Sequence, residues 1–173
     1  MKPILFNTDM VRGLQNGTKT ATRRLVKPQP KDGFLPTWRE NWDSVAGAQP
    51  AWVVLPPYHP GDILYVRETF CLNNFGYHYR ADWLDDNCPD MSADDKWRPS
   101  IHMPREAARI FLRVTDVRVE RLQDITYEDC LREGITDDEI DERDAFRPVT
   151  SAKWLFARLW NGLIKKADRA LYG

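Results

Sequence analysis

Gly17-Thr18-Lys19-Thr20-Ala21-Thr22-Arg23-Arg24 sets an amine, hydroxyls and guanidinium groups close together, directly after a short amphipathic run. How this octapeptide is read decides what kind of fold surrounds it. If it is extended, a period of two sends Thr18, Thr20, Thr22 and Arg24 to one face and Lys19, Ala21 and Arg23 to the other. If it opens with a tight turn at Asn16-Gly17, Lys19 and Thr22 curl toward each other across one pocket. The residues leave both geometries open, and a third, plainer reading is an exposed strand whose charges only keep it solvated.

Upstream, Pro3 to Phe6 reads as a short strand. Thr8 or Asp9 then caps a helix through Met10, Val11 and Leu14, stopped by Asn16-Gly17, so that Lys19 leaves at the helix exit. Up to Lys31 the chain carries Lys2, Arg12, Lys19, Arg23, Arg24, Lys27 and Lys31 against Asp9 alone, whereas Glu128 to Asp144 is dominated by acids. With a net charge of -1 the whole molecule lacks the basic balance of a typical nucleic-acid binder. A locally positive face can still attract a phosphate-bearing ligand, or the two segments can neutralise each other.

Downstream, about 28–60 is rich in proline and tryptophan without clean periodicity and reads as an insertion. Gly61-Asp62 turns into a strand over Ile63 to Phe70, in which Glu68 follows core-facing Leu64 and Val66. A carboxylate there needs a partner or an open end, which makes Glu68, and Arg67 opposite, candidate pocket residues. A second strand is expected over Tyr77 to Trp83, followed by a polar connection at about 83–97. Trp97-Arg98-Pro99-Ser100-Ile101-His102-Met103-Pro104-Arg105 concentrates an aromatic ring, two guanidiniums, a hydroxyl and an imidazole on a backbone stiffened by proline, as a binding loop does. Ala108 to Arg121 is the clearest strand, with a register break near Asp116. Several such strands imply an α+β fold with a curled, mostly antiparallel sheet or small barrel and flanking helices.

Thr126 with Asp129 matches a helix-capping pattern and Gly134 supplies the stop, which places Glu133 at the helix C-terminus. The helix dipole disfavours an anion there unless a cation compensates, and Lys19 is a possible partner. Ser151 opens a final helix to about 166, with Trp154, Leu155, Leu159, Trp160 and Leu163 as a core stripe.

A length of 173 residues suits a single domain. Cys71, Cys88 and Cys130 are odd in number and lack paired spacing, and His59, His78 and His102 are scattered, so neither a metal nor a cofactor is indicated. No apolar run is long enough for a membrane span and the first residues are too short for a signal peptide, so a cytoplasmic protein with no membrane partner is expected. The residues do not specify an oligomeric state.

The ordered set Gly17, Lys19, Thr22, Arg24 and then Gly61, Asp62, Leu64, Val66 resembles the ASCH family of small PUA-like β-barrel proteins, especially bacterial and prophage-borne members that share the Trp97 to Arg105 loop. The likeness spans roughly 1–135. Small bacterial members are amidohydrolases that remove the acetyl group from the exocyclic amine of acetylcytidine with a lysine, a threonine and a glutamate. By motif these fall on Lys19, Thr22 and Glu133, with substrate contacts expected from Arg24, Arg67, Glu68, Trp97, Arg98, Ser100, His102 and Arg105, and with Tyr65 as an alternative stacking ring. The resemblance equally admits a module that binds RNA or a modified nucleobase without catalysis, or a ribonuclease-like activity in the same cleft.

Overall fold

The computed structural model describes residues 1–26, 56–83, 92 and 94–163. Most of the insertion expected at about 28–60, much of the polar connection, and the end of the final helix lie outside these residues. The chain forms two compact units, Met1–Arg12 with Leu25–Glu120, and Gly13–Arg24 with Arg121–Gly173.

The first unit is built on a three-stranded sheet. β1 (Lys2–Leu5) runs parallel to the central β2 (Ile63–Arg67), and β5 (Phe111–Arg113) lies antiparallel on its other side. Period-two burial of Leu64 and Val66 makes β2 the spine, with Ile4 in register beside Val66. β3 (Phe70–Asn73) and β4 (Gly76–Tyr79) form a separate antiparallel hairpin, under which Phe70 packs with Met103 and Ala107. After β1 the chain enters α1 (Thr8–Gln15), whose cap is Asn7 rather than Thr8 or Asp9: its Oδ1 accepts from the Met10 amide at 2.8 Å.

Several expectations are corrected here. The fold is α+β as expected, and its described strands make a three-stranded mixed sheet and a two-stranded hairpin. The strand expected over 63–70 divides at Glu68, because its amide turns to the Met103 sulfur and its side chain to Arg109. The long strand expected over 108–121 is short. Ladder bonds run from the Ile110 carbonyl to the Val114 carbonyl, which accepts from the Gly61 amide at 2.8 Å, and beyond them Arg118 is held by Asp116 at 3.2 Å and Glu120 at 3.1 Å. The second strand stops at Tyr79, and Arg80–Asp82 form a 3-10 turn.

In the second unit α2 (Tyr127–Arg132) begins as its sequence requires. The Thr126 hydroxyl accepts from the Asp129 amide at 3.1 Å, and Gly134, at φ 103°, ends the helix in the left-handed region. The acidic stretch beyond it is itself a helix, α3 (Asp137–Asp144), closed at its start by a Thr136/Glu139 capping box. Asp137, Asp138 and Glu139 stand in its first turn, where the dipole favours them, and Ile140 is its buried anchor. α4 (Pro148–Leu163) begins three residues before Ser151, whose buried hydroxyl donates to the Asp144 carbonyl instead of opening the helix. Its inner face buries Ala152, Phe156 and Trp160, while Trp154 and Leu163, expected in the core stripe, face outward. No described helix is long and apolar enough to cross a membrane.

Glu68 is 1% exposed, and burial of a carboxylate this deep requires full compensation. Arg109 donates to both Glu68 oxygens at 2.9 Å and, from its other edge, to both oxygens of Asp82, while its guanidinium lies 3.9 Å from the Tyr79 ring centre. Burial works against the charge on Arg109, but the two carboxylates outweigh it and raise the guanidinium pKa further. Arg109→Met is therefore expected to cost about 3 kcal/mol in urea denaturation, because it strands the Glu68 charge. Adding Glu68→Leu is expected to restore more than half of that loss; a cost under about 1 kcal/mol for the single variant refutes this role.

Candidate functional site

Within the second unit the octapeptide is neither a plain strand nor a solvated run. The Lys19 amide bonds to the Gly13 carbonyl at 3.0 Å, and the Thr20 and Ala21 amides both donate to the Arg132 carbonyl at 2.8 and 2.9 Å. Lys19 and Glu133 thereby form an isolated antiparallel bridge. The octapeptide uses the spare carbonyls that every α-helix presents at its C-terminal end, here that of α2.

That docking sends the Lys19 side chain inward. It is 3% exposed and Glu133 is 4% exposed. The amine donates to Glu133 Oε2 at 2.7 Å and to the Glu133 carbonyl at 2.8 Å, so a single cation neutralises the carboxylate and caps the helix end. Two glycines make room for the stem. A Cβ on Gly13 would meet the Lys19 Cβ at 3.0 Å and one on Gly134 would meet it at 3.4 Å. Desolvation lowers the Lys19 pKa from its ordinary value; Glu133 opposes this shift, and Arg24 and Arg23 add to it.

The second Glu133 oxygen accepts from Arg23 Nη1 at 3.3 Å, and Arg23 Nη2 lies 3.1 Å from Asp129 Oδ2. The guanidinium also sits 5.8 Å from the Phe156 ring centre. Sequence reading overlooked Arg23 and Asp129, although Asp129 and Glu133 are four residues apart on one side of α2 and ask for cations together. It also overlooked Gly13, whose need appears only once Lys19 is seen against it. Thr22 lies in the same segment, and its hydroxyl is buried with no hydrogen-bond partner among the described residues. Arg24 is exposed.

The remaining candidates belong to the first unit. Arg67 donates through Nε to the Met103 carbonyl at 2.8 Å and through Nη2 to the Ile101 carbonyl, so it fastens the 97–105 loop to β2. Glu68 is committed to Arg109. Trp97 is half-buried beneath Arg80, with its indole N–H unpartnered among the described residues. Arg98 pairs with Phe70 through its backbone and, with His102 and Arg105, is exposed. Ser100 begins a 3-10 turn. Among the described residues no cluster of three or more His, Cys, Asp or Glu side chains is arranged to hold a metal. Cys71 and Cys130 are buried and form no disulfide with each other, and burial pushes the Cys130 thiol pKa up.

Breaking the buried pair from one side is expected to be costly. Lys19→Met is predicted to lower unfolding free energy by about 3–5 kcal/mol in denaturant titration, and Lys19→Met/Glu133→Leu to recover at least half. A double variant no more stable than the single one contradicts this. Gly134→Ala is expected to lose about 1–2 kcal/mol from its left-handed backbone alone. No protein-family model, curated protein or solved structure matches this chain.

Proposed function

We propose that this chain is an ASCH-type, PUA-like amidohydrolase that removes an acyl group from the exocyclic amine of a nucleoside such as acetylcytidine. The observation that carries the proposal is the buried Lys19–Glu133 pair in the same unit as a buried Thr22 hydroxyl with no partner among the described residues. A buried hydroxyl without an acceptor costs about 1–3 kcal/mol, a penalty that a purely structural position does not need. A lysine whose pKa is lowered by burial is the base that an unactivated threonine requires.

In the proposed reaction the neutral Lys19 amine takes the Thr22 proton as Oγ1 attacks the acyl carbon. The negative charge that gathers on the acyl oxygen is met by Arg24 or a backbone amide. Collapse breaks the C–N bond, and the Lys19 ammonium returns its proton to the departing exocyclic nitrogen. Glu133 then accepts a proton from the water that attacks the threonine ester and returns it to the departing Oγ1, so that Thr22 leaves as the alcohol and Glu133 is again a carboxylate. The sum is amide plus water giving amine and carboxylic acid. Arg23 holds the second Glu133 oxygen and so fixes the carboxylate while Lys19 changes charge.

Incubation of the protein with acetylcytidine, with chromatography of the free cytidine, tests the activity; no product at high protein concentration defeats the proposal. Thr22→Val separates chemistry from folding. Turnover is expected to fall by at least about 10³-fold. The melting temperature is expected to hold or rise, because the variant deletes an unsatisfied hydroxyl.

The base must be neutral, so first-turnover acylation is expected to accelerate with pH through the Lys19 pKa, which burial holds below 10.5. Glu133 raises that pKa; replacing its charge in Glu133→Gln is therefore expected to move the rising limb to lower pH. A limb that stays put or moves upward in single-turnover measurements removes Lys19 from the role of base.

A further inference from the structure

We infer that the protein forms a two-fold dimer in which the open edge of β5 pairs antiparallel with β5 of a second copy. The two edges of the sheet in the first unit are not alike. At the β1 edge Pro3 has no N–H to offer, and its carbonyl accepts from the Tyr58 hydroxyl at 2.8 Å. Among the described residues the β5 edge has no such cover. β5 bonds to β2 through alternate residues: the Ile110 carbonyl accepts from the Val66 amide at 2.9 Å, the Val114 amide donates to the Asp62 carbonyl at 2.9 Å, and Leu112 stands opposite Leu64 between them. The N–H and C=O groups of Phe111 and Arg113 therefore point away from β2, where they have no hydrogen-bond partner among the described residues. Phe111 is 51% exposed, and Arg113 is exposed with no carboxylate partner among the described residues. Unpaired backbone of this kind selects an extended polypeptide, because a strand supplies the matching row of donors and acceptors.

The side chains select the same strand from a second copy. With the two-fold axis at Leu112, Phe111 of each copy stands opposite Arg113 of the other, so each guanidinium meets an aromatic ring across the strands. On the inner face Ile110, Leu112 and Val114 are only half-buried within one copy. The same axis sets Ile110 opposite Val114 and Leu112 opposite itself, an apolar row that covers what a single sheet leaves in water. An axis at Phe111 is worse. It sets Arg113 against Arg109, whose donors are already taken by Glu68 and Asp82. The preferred register adds about four backbone hydrogen bonds and joins two three-stranded sheets into one. β5 belongs to the first unit, so the inference does not rest on the chemistry proposed for Lys19 and Glu133.

Sedimentation velocity from about 1 to about 200 μM protein tests the inference, with a dimer expected to grow in over that range. Arg113→Pro deletes an outward N–H while leaving the ladder to β2 in place, and is expected to weaken association at least about 10-fold. Charge reads the register. Phe111→Lys sets a cation against Arg113 and is expected to weaken association at least about 10-fold, whereas Phe111→Glu is expected to keep the dimer. Leu112→Cys, made together with Cys88→Ser, is expected to cross-link two copies on mild oxidation, because residues at a non-hydrogen-bonded pair have Cα atoms about 4.5 Å apart. Phe111→Cys in the same background is expected not to cross-link. Wild-type protein that stays monomeric at the highest concentration overturns the inference, as does a cross-link at Phe111→Cys but not at Leu112→Cys. Monomeric protein whose Phe111 and Arg113 amides resist hydrogen exchange overturns it in favour of another segment of the same chain on that edge.

Discussion

A lysine and a glutamate, both nearly removed from water and 2.7 Å apart, set the terms for the second unit. Each buried charge needs an opposite one, which the pair supplies, with Arg23 as a second cation on Glu133. Their meeting requires Gly13 and Gly134 on either side of the lysine stem, a helix that ends at Arg132, and a segment whose amides turn to that helix end. An apolar pair of equal volume serves stability as well or better, so the ion pair is better understood as specifying one arrangement.

The two buried carboxylates show how the choice of cation separates architecture from reactivity. Glu68 is held by arginine, whose charge is delocalised and whose pKa is raised further by Glu68 and Asp82 together. That proton does not leave, so the cluster behaves as a fixed joint between β2, the turn after β4 and the approach to β5. Glu133 is held by lysine, whose pKa burial lowers. Of the two cations it is the one that burial makes the more acidic, and Arg23 donates to the other oxygen of the same carboxylate at 3.3 Å.

Local chemistry made much of this legible in the sequence. Thr126, Gly134 and the dipole penalty on Glu133 pointed to a helix end in need of a cation, and Lys19 fills that need. Leu64 and Val66 named the core face of β2 because period two survives in a half-buried strand. What failed depended on distant partners. The residues around Glu68 ask for a partner or an open strand end but do not point to Arg109, 41 residues away, and this pair interrupts the expected strand. The parallel pairing of β1 with β2 leaves no local trace, and the acidic run became a helix because Thr136 and Glu139 cap it and Ile140 anchors it. The apolar stripe of the final helix places Trp154 in the core with Trp160, although its helical position turns it outward between Arg143 and Arg158.

Lys19 and Glu133 are 114 residues apart in the chain. At ribosomal rates of about 5–20 residues per second, the lysine waits roughly 5–20 s before its counter-ion is even synthesised. During that interval a segment of threonines, lysine and arginines keeps itself hydrated and offers nascent neighbours no apolar surface on which to misassemble. The segment around Lys19 is thus equipped for a long wait, and the end of α2 is what draws the lysine out of water.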